Sequence, residues 1–124
     1  MNYRCRYQCI SCKADKLYEI EADVPHSFLL QERRRLRKGL YGERARQIIT
    51  ENRHAAVTAE PALYRCNCGY MGADYRVRLS SSKARTYTVR RHCPVCDRLM
   101  SIQDPLKMIP CPQCGGRMFS IREN

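Results

Sequence analysis

Cys93-Pro94-Val95-Cys96 and Cys111-Pro112-Gln113-Cys114-Gly115-Gly116 decide how this chain folds. Both read Cys-Pro-x-Cys, and fourteen residues, 97 to 110, separate them. Two residues between cysteines let one tight turn, a knuckle, aim both sulfurs at one point. Proline pre-sets the first turn position, and a following glycine accepts the left-handed conformation that closes the turn. Two such knuckles facing each other make a closed four-sulfur site, the donor set that tetrahedral zinc takes with arms of about 2.3 Å.

Working outward, two weaker half-sites lie upstream. Cys9-Ile10-Ser11-Cys12 has knuckle spacing but neither proline nor glycine. Cys66-Asn67-Cys68-Gly69 has a tighter bite, one residue between the sulfurs, and a closing glycine. With Cys93, Cys96, Cys111 and Cys114 they bring the candidate ligands to eight, enough for two structural zinc ions. The ninth cysteine, Cys5, reads as a spare thiol packed beside the site, or as a replacement for Cys9. Sequential pairing, Cys9/Cys12 with Cys66/Cys68 and Cys93/Cys96 with Cys111/Cys114, is favoured because the short 97 to 110 loop is cheap to close. A cross-braced pairing, Cys9/Cys12 with Cys93/Cys96 and Cys66/Cys68 with Cys111/Cys114, is the alternative.

The pair Cys93/Cys96 and Cys111/Cys114 resembles the zinc ribbon family over residues 93 to 122, and Cys9, Cys12, Cys66 and Cys68 resemble a second, less typical ribbon. The resemblance implies β-hairpins with knuckles at their tips, two to a zinc. It implies a fold class and no function. We therefore expect a small metal-stabilised α+β fold: a ribbon over 1 to 91 with a helical insertion at about 25 to 57, then a second ribbon over 92 to 124.

The insertion announces itself by periodicity. Phe28, Leu29, Leu36, Leu40, Ile48 and Ile49 recur at helical spacing, and Gly39 and Gly42 divide the stretch into helices over about 27 to 38 and 42 to 56. Ser27 is the expected cap of the first. On either side, Leu17 to Val24 alternates as a strand, 58 to 61 reads as a linker, and Tyr75 to Leu79 pairs with Tyr87 and Val89 as a hairpin around a turn at Ser80 to Lys83. A further turn falls at Asp104-Pro105. Arg117 to Arg122 closes the chain as a strand in which either Met118 or Phe119 faces the core.

The formal net charge is +11, from 23 basic and 12 acidic residues. Four thiolates around one dication carry −2, so two loaded sites lower the total to about +7. Basic residues crowd the helices: Arg33, Arg34, Arg35, Arg37, Lys38, Arg44, Arg46 and Arg53. The plain alternative is a solvated face paired with Glu32, Glu43 and Glu51, but three acids do not balance eight bases. Arg76, Arg78 and Arg90 line the polar face of the hairpin. These residues are candidates for binding nucleic acid, DNA or RNA, or an acidic protein surface. Tyrosines among the arginines could stack on unpaired bases, although core packing is the commoner use of tyrosine.

Other classes find little support. The opening Met-Asn-Tyr-Arg-Cys-Arg shows no apolar run behind a basic segment, and no stretch approaches the roughly 18 apolar residues of a membrane helix. Cysteine-dense and without a signal peptide, the chain is expected in the reducing cytoplasm with its thiols on metal. His26, His54 and His92 lack metalloprotease spacing, and no phosphate-binding glycine loop or nucleophile with its base is present. We expect no catalysis, no small-molecule substrate and no membrane partner. Thiol redox or zinc-chaperone chemistry is the remaining alternative, since Cys-x-x-Cys also serves redox proteins.

Overall fold

The computed structural model describes residues 2–52, 54–81, 86–104 and 108–121. Arg53, Ser82 and Lys83 of the expected hairpin turn, Pro105 and Arg122 lie outside the described residues. The elements, in order, are β1 (Asn2–Cys9), β2 (Asp15–Glu21), α1 (His26–Arg37), α2 (Glu43–Glu51), β3 (Ala56–Arg65), β4 (Met71–Ser80), β5 (Tyr87–Thr88), β6 (Ser101–Gln103), β7 (Ile109–Pro110) and β8 (Arg117–Ile121). This is a small α+β fold with two helices and two antiparallel sheets. One sheet has the order β2-β1-β8-β7, the other β5-β4-β3-β6. Among the described residues no helix is long and apolar enough to cross a membrane.

The chain forms two compact units. The first contains everything up to Ala22, Pro61–Asp74, and the chain from Arg91 onward, so it draws on both sides of the 91/92 boundary. The second contains Asp23–Glu60 and Tyr75–Arg90. All nine cysteines belong to the first unit.

In the first unit, β1 pairs with β2 from Asn2↔Glu21 to Gln8↔Asp15 and with β8 from Arg6↔Ile121 to Cys9↔Met118. Alternation then sets the faces. Tyr7, Cys9 and Met118 are fully buried, and Cys5 and Ile109 nearly so, in a core that also holds Leu63 and Cys111. Met118 is inside and Phe119 is 44% exposed, which resolves a choice that the sequence leaves open. Tyr18 and Ile20 on β2 are half-buried between exposed Leu17, Glu19 and Glu21, as its alternation anticipates.

In the second unit, α1 has no β-branched residue and is rich in strong helix formers. It begins at Pro25 rather than Ser27: the Pro25 carbonyl accepts from the Phe28 and Leu29 N–H groups, and Ser27 lies inside the helix with no capping bond. It stops in a Schellman turn, with Gly39 at φ 78°, Gly39 N–H donating to Leu36 and Leu40 N–H to Arg35. The second helix ends at Glu51, short of the expected 56. Asn52 caps it, its side-chain amide donating to the Ile48 carbonyl at 2.8 Å. The expected linker at 58 to 61 is instead part of the ten-residue strand β3, which begins at Ala56. Pro61 is tolerated there because it precedes the Leu63–Arg65 stretch that pairs with β6. The β4–β5 hairpin forms with Arg78↔Thr88 and Leu79↔Tyr87 paired, and Ser80, expected in the turn, is the last residue of β4. Val77, Leu79 and Val89 pack with Leu36, Ala45, Ile48, Ile49 and Ala55 into the core of this unit.

Candidate metal centres

Eight cysteines converge into two groups of four within the first unit. Cys9, Cys12, Cys111 and Cys114 form one, and Cys66, Cys68, Cys93 and Cys96 the other, with the four sulfurs of each group within 4.8 Å of one another. Neither the sequential nor the cross-braced pairing is what the fold adopts. The pairing is nested: the outermost half-sites meet, and the inner two meet. The reason is strand adjacency. Pairing of β1 with β8 carries the Cys9 knuckle to the Cys114 knuckle, and pairing of β3 with β6 carries Cys66 to Cys96. Loop closure favours the sequential alternative by only about 1 kcal/mol in total. Burying side chains such as Tyr7, Leu63 and Met118, at about 1.5–3 kcal/mol for a large apolar residue, outweighs that.

All four half-sites share one local design. The residue after the second cysteine is left-handed in each: Lys13 at φ 64°, Gly69 at 103°, Asp97 at 63° and Gly115 at 75°. The first cysteine's N–H donates back across the turn, Cys9 to Ala14, Cys66 to Tyr70, Cys93 to Arg98 and Cys111 to Gly116, at 2.7–2.8 Å. The Cys66–Cys68 turn is therefore a knuckle contracted by one residue. Inside the turns the Val95 N–H points at Cys93 Sγ (3.4 Å) and the Gly116 N–H at Cys114 Sγ (3.3 Å). Such donors stabilise a thiolate. The sequence flags Gly69 and Gly115, but aligning all four half-sites on their cysteines is needed to find Lys13 and Asp97.

The sulfur geometry fits a tetrahedral ion. Arms of about 2.3 Å place sulfurs about 3.8 Å apart, and across the groups the separations are 3.5 Å (Cys9–Cys114), 3.8 Å (Cys12–Cys111), 3.4 Å (Cys66–Cys96) and 3.7 Å (Cys68–Cys93). A disulfide needs about 2.05 Å, and all nine cysteines are free of disulfide bonds. Left to themselves, four crowded thiols do not all ionise. The backbone N–H of Cys12 leads the effects that lower Cys9 to about 6, and Cys93 lies at about 7, its backbone and sulfur hydrogen bonds outweighing burial. Their neighbours resist. For Cys114 the Gly116 N–H favours the thiolate, yet bonds from the other three sulfurs push it up to about 12. For Cys66 the Cys68 N–H likewise loses to burial and the three facing sulfurs, and its thiol also lies at about 12. A cation supplies what four adjacent thiolates require. Two groups that could each hold a metal ion are thus present, and all-sulfur tetrahedral donors suit zinc.

Cys5 lies outside both groups, 5% exposed in the core beneath the first. His26, His54 and His92 are exposed and also outside the groups.

The basic candidates are all in the second unit, where the structure sorts them. Arg35 pairs with Glu32 at 2.9 Å, Arg46 with Glu43, and both Arg76 and Arg78 with Glu60. These bonds hold the Glu43 and Glu60 carboxyls below the usual range. Arg33 donates to the Ala55 carbonyl at 3.0 Å. Arg34, Arg37, Lys38, Arg44 and Arg90 are exposed and make no ion pair among the described residues. Glu32, which the sequence presents as a surface partner for arginine, is fully buried and takes hydrogen bonds from Tyr41 and Arg35. Its place one turn before buried Leu36, on the inner side of α1, is the signal that reveals it. No protein-family model, no curated protein and no solved structure matches this chain.

Proposed function

We propose that this is a non-catalytic zinc-binding protein. Two structural zinc ions organise the first unit, and the second unit engages nucleic acid, DNA or RNA, alone or within a nucleic-acid-processing assembly. One observation carries this reading: charge and thiols are segregated. Asp23–Glu60 and Tyr75–Arg90 contain 13 of the 23 basic and 5 of the 12 acidic residues, so +8 of the +11 resides in the unit without cysteines. The other unit is formally +3, and two loaded sites at −2 each bring it to about −1. The basic excess is therefore not the counter-charge of thiolates in its own unit. An excess of this size on 54 residues attracts polyanions.

Zinc, when bound, would offset half of the charge of the four thiolates of each group and clamp them. The chain's own part is to hold eight sulfurs ready on left-handed turns. Four protein ligands leave no open coordination position, which is why we assign the metals to structure and not to chemistry. Retention of thiolates fits a reducing compartment such as the cytoplasm.

Fluorescence anisotropy of labelled 20-mers, titrated with the zinc-loaded chain in about 50 mM salt, tests the nucleic-acid reading. Binding that weakens steeply toward about 200 mM salt is expected; no binding at the lower salt sinks it, because phosphate contacts are strongest there. A second reading, docking of an acidic protein, is favoured by exposed Leu30 (46%) and Leu40 (65%) among the same cations. Phosphates need no leucines, so Leu30→Ser with Leu40→Ser leaves oligonucleotide binding unchanged if the first reading holds.

A further inference from the structure

We propose that Arg34, Arg37, Lys38 and Arg44 form one phosphate-backbone site for double-stranded nucleic acid, bound without sequence preference; this rests on the nucleic-acid reading above and specifies its surface and its ligand.

The surface follows by subtraction. Of the ten basic candidates, four are engaged by acids and Arg33 by a backbone carbonyl. Five remain exposed without an ion pair among the described residues, and four of these fall within eleven residues at the end of α1 and the start of α2. On a helix, residues 34, 37 and 38 lie within about a third of a turn of one another, opposite buried Glu32 and Leu36. The burial of Glu32 matters most. It is the only acid on α1, and Tyr41 and Arg35 hold it inside, so no α1 carboxylate faces an approaching phosphate. Beside Arg44, the Glu43 carboxylate is held by Arg46.

The ligand follows from what the unit lacks. Proteins that hold single strands combine a basic groove with exposed aromatics on which bases stack. In the second unit Tyr75 is buried, and Phe28, Tyr41 and Tyr87 are half-buried against its core. Not one of its aromatics is exposed, so unpaired bases have no platform there. What remains is charge, and a duplex presents about twice the charge density of a single strand, one per 1.7 Å. A stack-free cationic helix face therefore selects the duplex.

The test uses the full zinc-loaded chain with one 20-bp sequence as duplex DNA, duplex RNA and each single strand. The expected result is duplex binding about tenfold or more tighter than single-strand binding, with a log–log salt slope near −4 for four contacts. R34A/R37A/K38A/R44A should weaken duplex binding by at least about 100-fold at low salt and flatten the slope by nearly four. R34K/R37K/R44K should retain binding, which separates loss of charge from loss of fold, and R76A/R78A/R90A should bind within about threefold of the parent. Equal or tighter single-strand binding, or a quadruple variant that keeps its slope, overturns this inference while leaving the nucleic-acid reading standing. Failure of every oligonucleotide to bind overturns both. Preference for duplex RNA over duplex DNA, or the reverse, supports it and names the form.

Discussion

Lys13 and Asp97 do glycine's work at two of the four knuckles, at φ 64° and 63°. A left-handed L-residue costs about 1–2 kcal/mol, against about 0.5–1 kcal/mol of extra unfolded-state entropy for glycine. Lys13→Gly should therefore be neutral or stabilising by up to about 1 kcal/mol, whereas Gly69→Val, forcing a β-branched side chain to φ 103°, should cost about 1–3 kcal/mol. Thermal melts of the zinc-loaded variants give the sign of each; a destabilising Lys13→Gly would show that the lysine side chain, not the turn, matters. The thiols set a second expectation. At pH 8, Cys9 (about 6) and Cys93 (about 7) are already ionised, while Cys66 and Cys114 (about 12) still carry protons. A dication binding four thiolates must displace them, so zinc loading should release at least one proton per site, and affinity should fall as pH falls. Calorimetry in buffers of different ionisation enthalpy counts those protons.

At the scale of elements, the nested pairing makes predictions that sequential pairing reverses. Cys12→Ser with Cys114→Ser removes two ligands from one group, so one zinc per chain should remain; Cys12→Ser with Cys68→Ser strikes both groups, and both ions should be lost. Elemental analysis decides: under sequential pairing the two outcomes exchange. Within the second unit, Glu32 ties α1 to the turn before α2 through Tyr41. Glu32→Ala leaves the buried side of that contact unsatisfied and should cost about 3 kcal/mol in chemical denaturation. Glu32→Gln, which keeps an acceptor, should cost less. Similar losses for both would mean that the negative charge on Glu32 dominates over its geometry.

For the whole molecule, the two groups close very different lengths of chain. Between Cys12 and Cys111 lie 98 residues, between Cys68 and Cys93 only 24. Closure entropy alone separates them by about 1.2 kcal/mol, an affinity ratio of about eightfold. With one equivalent of zinc, Cys66, Cys68, Cys93 and Cys96 should resist alkylation first, followed at two equivalents by Cys9, Cys12, Cys111 and Cys114. Mass spectrometry of the labelled peptides reads the order, and simultaneous protection would mean that the two groups fold as one cooperative event.

The sequence by itself determined the local chemistry. Cysteine spacing named all eight candidate ligands but left Cys5 as a possible substitute for Cys9, glycine placement divided the helices, and alternation drew the hairpin, because each depends on neighbours within a few residues along the chain. It did not carry the register of Met118 against Phe119, the strand character of Ala56–Arg65, or the burial of Glu32, since each turns on what packs against one face. Tertiary structure alone decided which half-sites share a centre. A knuckle's geometry is the same whatever faces it, and loop entropy distinguishes the partners by only about 1 kcal/mol, so the choice fell to the strand neighbours β1–β8 and β3–β6 and to the apolar side chains those pairings bury. It decided the fate of the arginines in the same way: residue type supplies the charge, but only packing shows which charges already have partners.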